Sequence, residues 1–110
     1  MTSIDYGAFA NCYSLTTIIL HDGITEIDEN AFTHCGKLES IIIPEAVEII
    51  GANAFYGCDS LVIYCEAQSK PNGWSSDWNS SGLPVYYYSE TQPATSGNYW
   101  HYVNGEVVTW

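Results

Sequence analysis

The feature that most restricts what this chain can fold into is a period of 23 residues. The segments IDYGAFANCYSLTTIIL, IDENAFTHCGKLESIII and IGANAFYGCDSLVIYCE start at Ile4, Ile27 and Ile50. Ala8, Ala31 and Ala54 fall in register, as do Phe9, Phe32 and Phe55, then Cys12, Cys35 and Cys58, then Leu15, Leu38 and Leu61. A unit this short cannot bury its own apolar positions and does so only by stacking on its neighbours. The period therefore predicts a solenoid with one coil per unit.

Local patterning assigns the parts of each coil. In LESIIIP, Leu38, Ile41 and Ile43 are expected to point inward, and the β-branched run suits a short parallel strand that ends at Pro44. VEII offers Val47 and Ile50 to the core as a second short extended piece. In ANAFYGC, small Ala54 permits close approach, Phe55 fills the coil, and Asn53 or Gly57 turns the chain. Successive coils should lie roughly 4.8 Å apart.

A solenoid that simply stopped would leave the apolar face of its last coil in water, so a terminal unit must differ from an internal one. The difference begins after Glu66. This divides the chain into repeats at 1–66 and a terminal half-repeat with capping segment at 67–110, both expected in one structural domain. Pro71 in PNGWSSDWN fits the first turn of a short helix, with Ser69 as a candidate N-cap and Trp74 and Trp78 on one face over the last coil. LPVYYY reads as a strand, SETQPATSGN as a loop, and YWHYVNGEVVTW as a β-hairpin around Asn104-Gly105. Alternation in the hairpin puts Trp100 and Tyr102 on one face and Tyr99, His101 and Val103 on the other, with Trp110 closing the second strand. The predicted fold class is an α/β solenoid: a right-handed coil of short parallel strands, about three units long, closed by a β-hairpin and aromatic cap. Trp74, Trp78, Trp100, Tyr102 and Trp110 are read as plugging the solenoid end or, alternatively, as a platform for sugar rings.

The AFxxCxxL cores at 8–15, 31–38 and 54–61, together with IIIP at 41–44, resemble the BspA-like, or treponemal-type, leucine-rich repeats of bacterial cell-surface proteins. IYCEAQSKPNGWSSDWN is similar to the half-repeat that ends such arrays, and YSETQPATSGNYWHYVNGEVVTW to the C-terminal segment of gut-bacterial members. One departure is His21, which stands where the next unit has Pro44. The resemblance implies a leucine-rich-repeat coil with a non-enzymatic role in adhesion, binding host extracellular-matrix or bacterial surface proteins. It also implies a place on the cell surface, or secretion, as part of a longer chain.

Charge and motifs narrow the function classes independently. Thirteen Asp and Glu stand against Lys37 and Lys70, a formal charge of -11. No cationic patch is available to displace counterions from a phosphate backbone, so nucleic acid is not an expected partner. No apolar run approaches the roughly 18 residues that span a bilayer, so membrane insertion is not expected either. The N-terminus lacks the basic start and apolar stretch of a signal peptide, and the repeat phase makes this the expected end of a longer exported chain. There is no GxSxG, HExxH, CxxC or Gly-rich phosphate loop, and His21, His34 and His101 are scattered, so no catalytic residue is assigned. Acidic turn residues such as Asp28, Glu29, Glu45 and Glu48 read as solubilising. Neither an EF-hand pattern nor a tetrahedral thiolate set is present, and no metal or cofactor is expected.

The strand face carries the binding hypothesis. If Ile41 and Ile43 point in, Ser40 and Ile42 point out, and the same count puts Thr17 and Ile19 outward one coil earlier. Thr17, Ile19, Ser40 and Ile42 are thus the candidate protein-binding residues, an apolar strip beside small hydroxyls. Cys12, Cys35 and Cys58 form a ladder expected to hold buried free thiols. The 23-residue offset places Cys65 opposite Ile19 and Ile42, on the strand where the repeat gives way to the cap. At the other end no cap-like segment precedes LTTIIL, so the first strand is a candidate open edge through which the chain self-associates.

Overall fold

The computed structural model of the chain describes residues 2–95 and 97–110; Met1, and Ser96 within the loop expected at 89–98, lie outside the described residues. Eight strands follow in chain order: β1 (Ser3–Ile4), β2 (Glu26–Ile27), β3 (Ser40–Ile43), β4 (Ile49–Ile50), β5 (Val62–Cys65), β6 (Val85–Tyr88), β7 (Tyr99–Val103) and β8 (Glu106–Thr109). They make two ladders on a solenoid of about four turns. One is the parallel set β1-β2-β4, and the other runs β3-β5-β6-β7-β8, parallel except for the closing antiparallel pair β7-β8.

The coil closes tightly because two positions per unit accept a left-handed backbone. Gly7, Asn30 and Asn53 sit at φ 62°, 56° and 57°, and Asn11, His34 and Gly57 at 62°, 63° and 79°. These positions flank the AF pair, just before Ala and just before Cys, and Asn, His and Gly are the residues that enter this region most readily. The turns they create aim backbone groups along the solenoid axis: Phe9 N–H donates to Ala31 O at 2.8 Å, and Phe32 N–H to Ala54 O at 2.8 Å.

Inside, each repeated column is a stack. Phe9, Phe32 and Phe55 lie ring on ring, with centroids 5.3 and 5.4 Å apart and planes within 5° of parallel. Cys35 Sγ donates to Phe9 O and Cys58 Sγ to Phe32 O, both at 3.0 Å, so each thiol ties its coil to the one before. All four cysteines are free thiols. Ala31, Ala54, Leu38, Leu61, Ile41, Ile43, Val47 and Ile50 are buried, and no polar or charged residue is buried among the described residues.

Two expectations need correction. First, no helix occurs among the described residues, so the fold is a β-solenoid rather than α/β. Residues 71–82 run as turns that form a fourth, partial coil. Trp74 bridges Ile50 in parallel and its indole N–H donates to Val47 O at 3.2 Å. Trp78 meets the Phe55 ring edge-on, 6.4 Å between centroids, extending the phenylalanine column. Both indoles are buried. The helical reading failed because Ser75 N–H is drawn to Ile50 O, and Asn53 N–H to Asp77 O, at 2.8 and 3.0 Å: inter-coil bonds satisfy backbone groups that a helix would have kept for itself.

Second, Cys65 pairs with Ile43 rather than with Ile42, because β5 lies on β3 at an offset of 22 (Ser40 with Val62, Ile43 with Cys65). Leu61 precedes Ile63 by two positions where Leu38 precedes Ile41 by three, so one residue is missing between coil and strand. That shift turns Cys65 inward, fully buried, and puts Tyr64 outward beside Ile42.

Candidate functional site

The outer face of the second ladder follows from the alternation of β3. Ser40 and Ile42 are half-buried and face out, while Ile41 and Ile43 are buried. Thr17 joins Ser40 through an isolated parallel bridge, and Thr16 O accepts Glu39 N–H at 3.0 Å. Beyond Thr17 no strand pairing continues along the first coil among the described residues. Here the segments around Thr17–Leu20 and Ser40–Pro44 line a groove of about 470 Å³. All four strand-face candidates, Thr17, Ile19, Ser40 and Ile42, line it, and Ile19 is 95% exposed.

A wall of the groove comes from the C-terminal hairpin. Asn104 and Gly105, at φ 51° and 81°, make the tight turn that pairs β7 with β8. β7 carries Trp100 and Tyr102 on one face. Trp100 is buried, with its indole N–H donating to Cys65 O at 2.8 Å and its ring edge-on to Tyr64, Tyr88 and Tyr102. This anchor holds Tyr102 over the groove, 39% exposed, its hydroxyl donating to Glu66 Oε2 at 2.7 Å. The other oxygen of Glu66 accepts the Glu45 N–H at 3.2 Å. Burial, then the hydrogen bond to Glu66 and the charges of Glu66 and Asp22, push the Tyr102 hydroxyl well above its ordinary range.

The groove thus has an apolar length and an acidic end. Asp22, Pro44 and Glu66 line it and also line an adjoining hollow of about 530 Å³ that adds Glu45 and Ala46. Neither Lys37 nor Lys70 lines either space. No group of three or more His, Cys, Asp or Glu side chains is placed to hold a metal ion among the described residues. Sequence reasoning passed over Asp22, Glu66 and the lateral reach of Tyr102. The repeat did mark Asp22 and Glu45, which are 23 residues apart, but the long-range contact of Tyr102 with Glu66 has no local signal.

The aromatic candidates are dispersed. Trp74, Trp78 and Trp100 are buried and present no open ring face, which removes them from a sugar platform. Trp110 is 47% exposed but lies flat on His101, 3.8 Å between centroids, with its indole N–H donating to Ser89 O at 2.8 Å.

Comparison with known proteins agrees with the coil geometry. The family model described as the BspA type leucine rich repeat region (6 copies) matches residues 1–69, more than half of the chain. No curated protein and no solved structure matches the chain. No helix of the described residues is long and apolar enough to cross a membrane. With stacked coils, repeated columns and a matching family model in hand, the chain belongs to the BspA-type leucine-rich repeat family, a repeat fold of protein-interaction type.

Proposed function

We propose that this chain is a non-enzymatic protein-binding module, the repeat-and-cap segment of a bacterial cell-surface adhesin-like protein. Its ligand is a host extracellular-matrix protein or a bacterial surface protein, held on the strand face by Thr17, Ile19, Ser40 and Ile42. The observation that carries this reading is their convergence on one groove, with a β-branched side chain, Ile19, 95% exposed to water. Covering apolar surface gathered in such a groove is favourable, which suits it to a partner's contact. The open N-terminal strand edge of the first coil is a second contact surface, taken by another copy of the chain.

The test uses Ile19→Asp with Ile42→Asp. Both side chains face outward, so the double variant should keep the circular dichroism spectrum and unfolding midpoint of the parent. Its binding to a surface array of matrix proteins should be lost. Undiminished binding by the folded variant would remove the strand face from the proposal.

A further inference from the structure

We infer that the groove is built for an extended peptide segment carrying a lysine or arginine next to an apolar residue; this rests on the strand-face reading above. The cation would sit at the acidic end, between Asp22, Glu45 and Glu66, and the apolar neighbour along Ile19 and Ile42.

Charge complementarity selects this occupant. The chain holds two lysines and no arginine, and neither lysine lines the groove, so among the described residues no lysine or arginine stands against the carboxylates at its end. Glu66 is held in place before any ligand arrives. Each of its oxygens accepts one hydrogen bond, from Tyr102 Oη at 2.7 Å and Glu45 N at 3.2 Å, and a carboxylate has acceptor capacity for further donors. A group so held loses little freedom when a guanidinium or ammonium docks.

A bare divalent ion fits less well, because no cluster of metal-ligating side chains closes on a point among the described residues. A long amphipathic cation uses both parts of the groove, its stem on apolar surface and its head at the carboxylates. The Tyr102 ring stands at the junction, lining the same space as Ile42 and Glu66, where a cation can also meet an aromatic face.

The experiment measures fluorescence anisotropy of labelled synthetic peptides against the intact chain. Three sequences of equal length are used: alternating lysine and leucine, alternating glutamate and leucine, and alternating lysine and serine. The lysine-leucine peptide should bind best, weaken as salt is raised, and lose about three- to tenfold in affinity with Asp22→Asn plus Glu45→Gln. Ile19→Ser should weaken it as well. The inference is overturned if the glutamate-leucine peptide binds equally, or if the carboxamide variant binds unchanged. Should Ile19→Ser abolish binding of both leucine peptides while the carboxamide variant has no effect, the strand-face reading stands and the charge inference falls. If neither variant alters binding, both fall.

Discussion

At Gly51 the backbone of one coil passes against the next so closely that a side chain has no place. A Cβ there would meet the Glu29 backbone, at 2.5 Å from N and 2.9 Å from Cα. Gly51→Ala should therefore cost roughly 1–3 kcal/mol in urea unfolding, whereas Gly36→Ala, with nothing within 4 Å, should be close to neutral. Equal effects would contradict inter-coil contact as the cause. The thiols make a second residue-level prediction. Burial pushes Cys58 up from 9.0 to about 11 and Cys65 from 9.0 to about 12. The unfolded chain ionises first, so the stability tied to these neutral thiols is complete below pH 9 and is lost as pH rises through 11 to 12. A urea midpoint that falls across that range in the parent and less in Cys58→Ala with Cys65→Ala is the expected result. Much at this scale was legible: the Ala, Phe, Cys and Leu columns came straight from the period. Only Asn53 or Gly57 was legible as a turn; the left-handed columns of Gly7, Asn30 and Asn53 and of Asn11, His34 and Gly57 were not, because their differing residues look like surface variation until the shared backbone conformation is seen.

Among the elements, legibility depended on whether a signal was local. β3 and the Asn104-Gly105 hairpin could be read because alternation and turn chemistry act within a few residues. The segment 71–82 could not, since Pro71 and the four-residue spacing of Trp74 and Trp78 suit a helix equally well. The deciding fact was long-range: Trp78 lies 23 residues after Phe55 and continues its column, so the period extends one coil further than the cysteines suggest. Cys65 was misplaced for the opposite reason, because one residue drops out between Leu61 and β5 and the strict period no longer holds. Trp78→Ala should then behave as a core truncation and cost roughly 3–5 kcal/mol, with loss of the fourth coil. Its far-ultraviolet spectrum should change without any helical component disappearing, which separates a coil from the helix first expected. The groove was half legible: the outward count found Thr17, Ile19, Ser40 and Ile42, and nothing local announced that Tyr102 would reach Glu66.

On the scale of the whole molecule the two ends are unequal. Trp74 and Trp78 cover the Phe55 coil, but in the first coil Phe9, Cys12 and Leu15 are only half-buried, and among the described residues Phe9 has an aromatic neighbour on one side alone. Cys35 and Cys58 each donate to a phenylalanine carbonyl of the coil before. If another copy stacks on this face, the opposing force is the repulsion between two chains of charge -11. Self-association measured by sedimentation should therefore strengthen as salt screens that repulsion, the reverse of what salt does to a basic peptide in the groove. N-ethylmaleimide supplies the matching chemical test. It should modify half-buried Cys12 in the folded chain well before the buried Cys35, Cys58 and Cys65, and the adduct should block association by standing where the next coil would lie. A chain that labels at Cys12 and still associates must do so through another face.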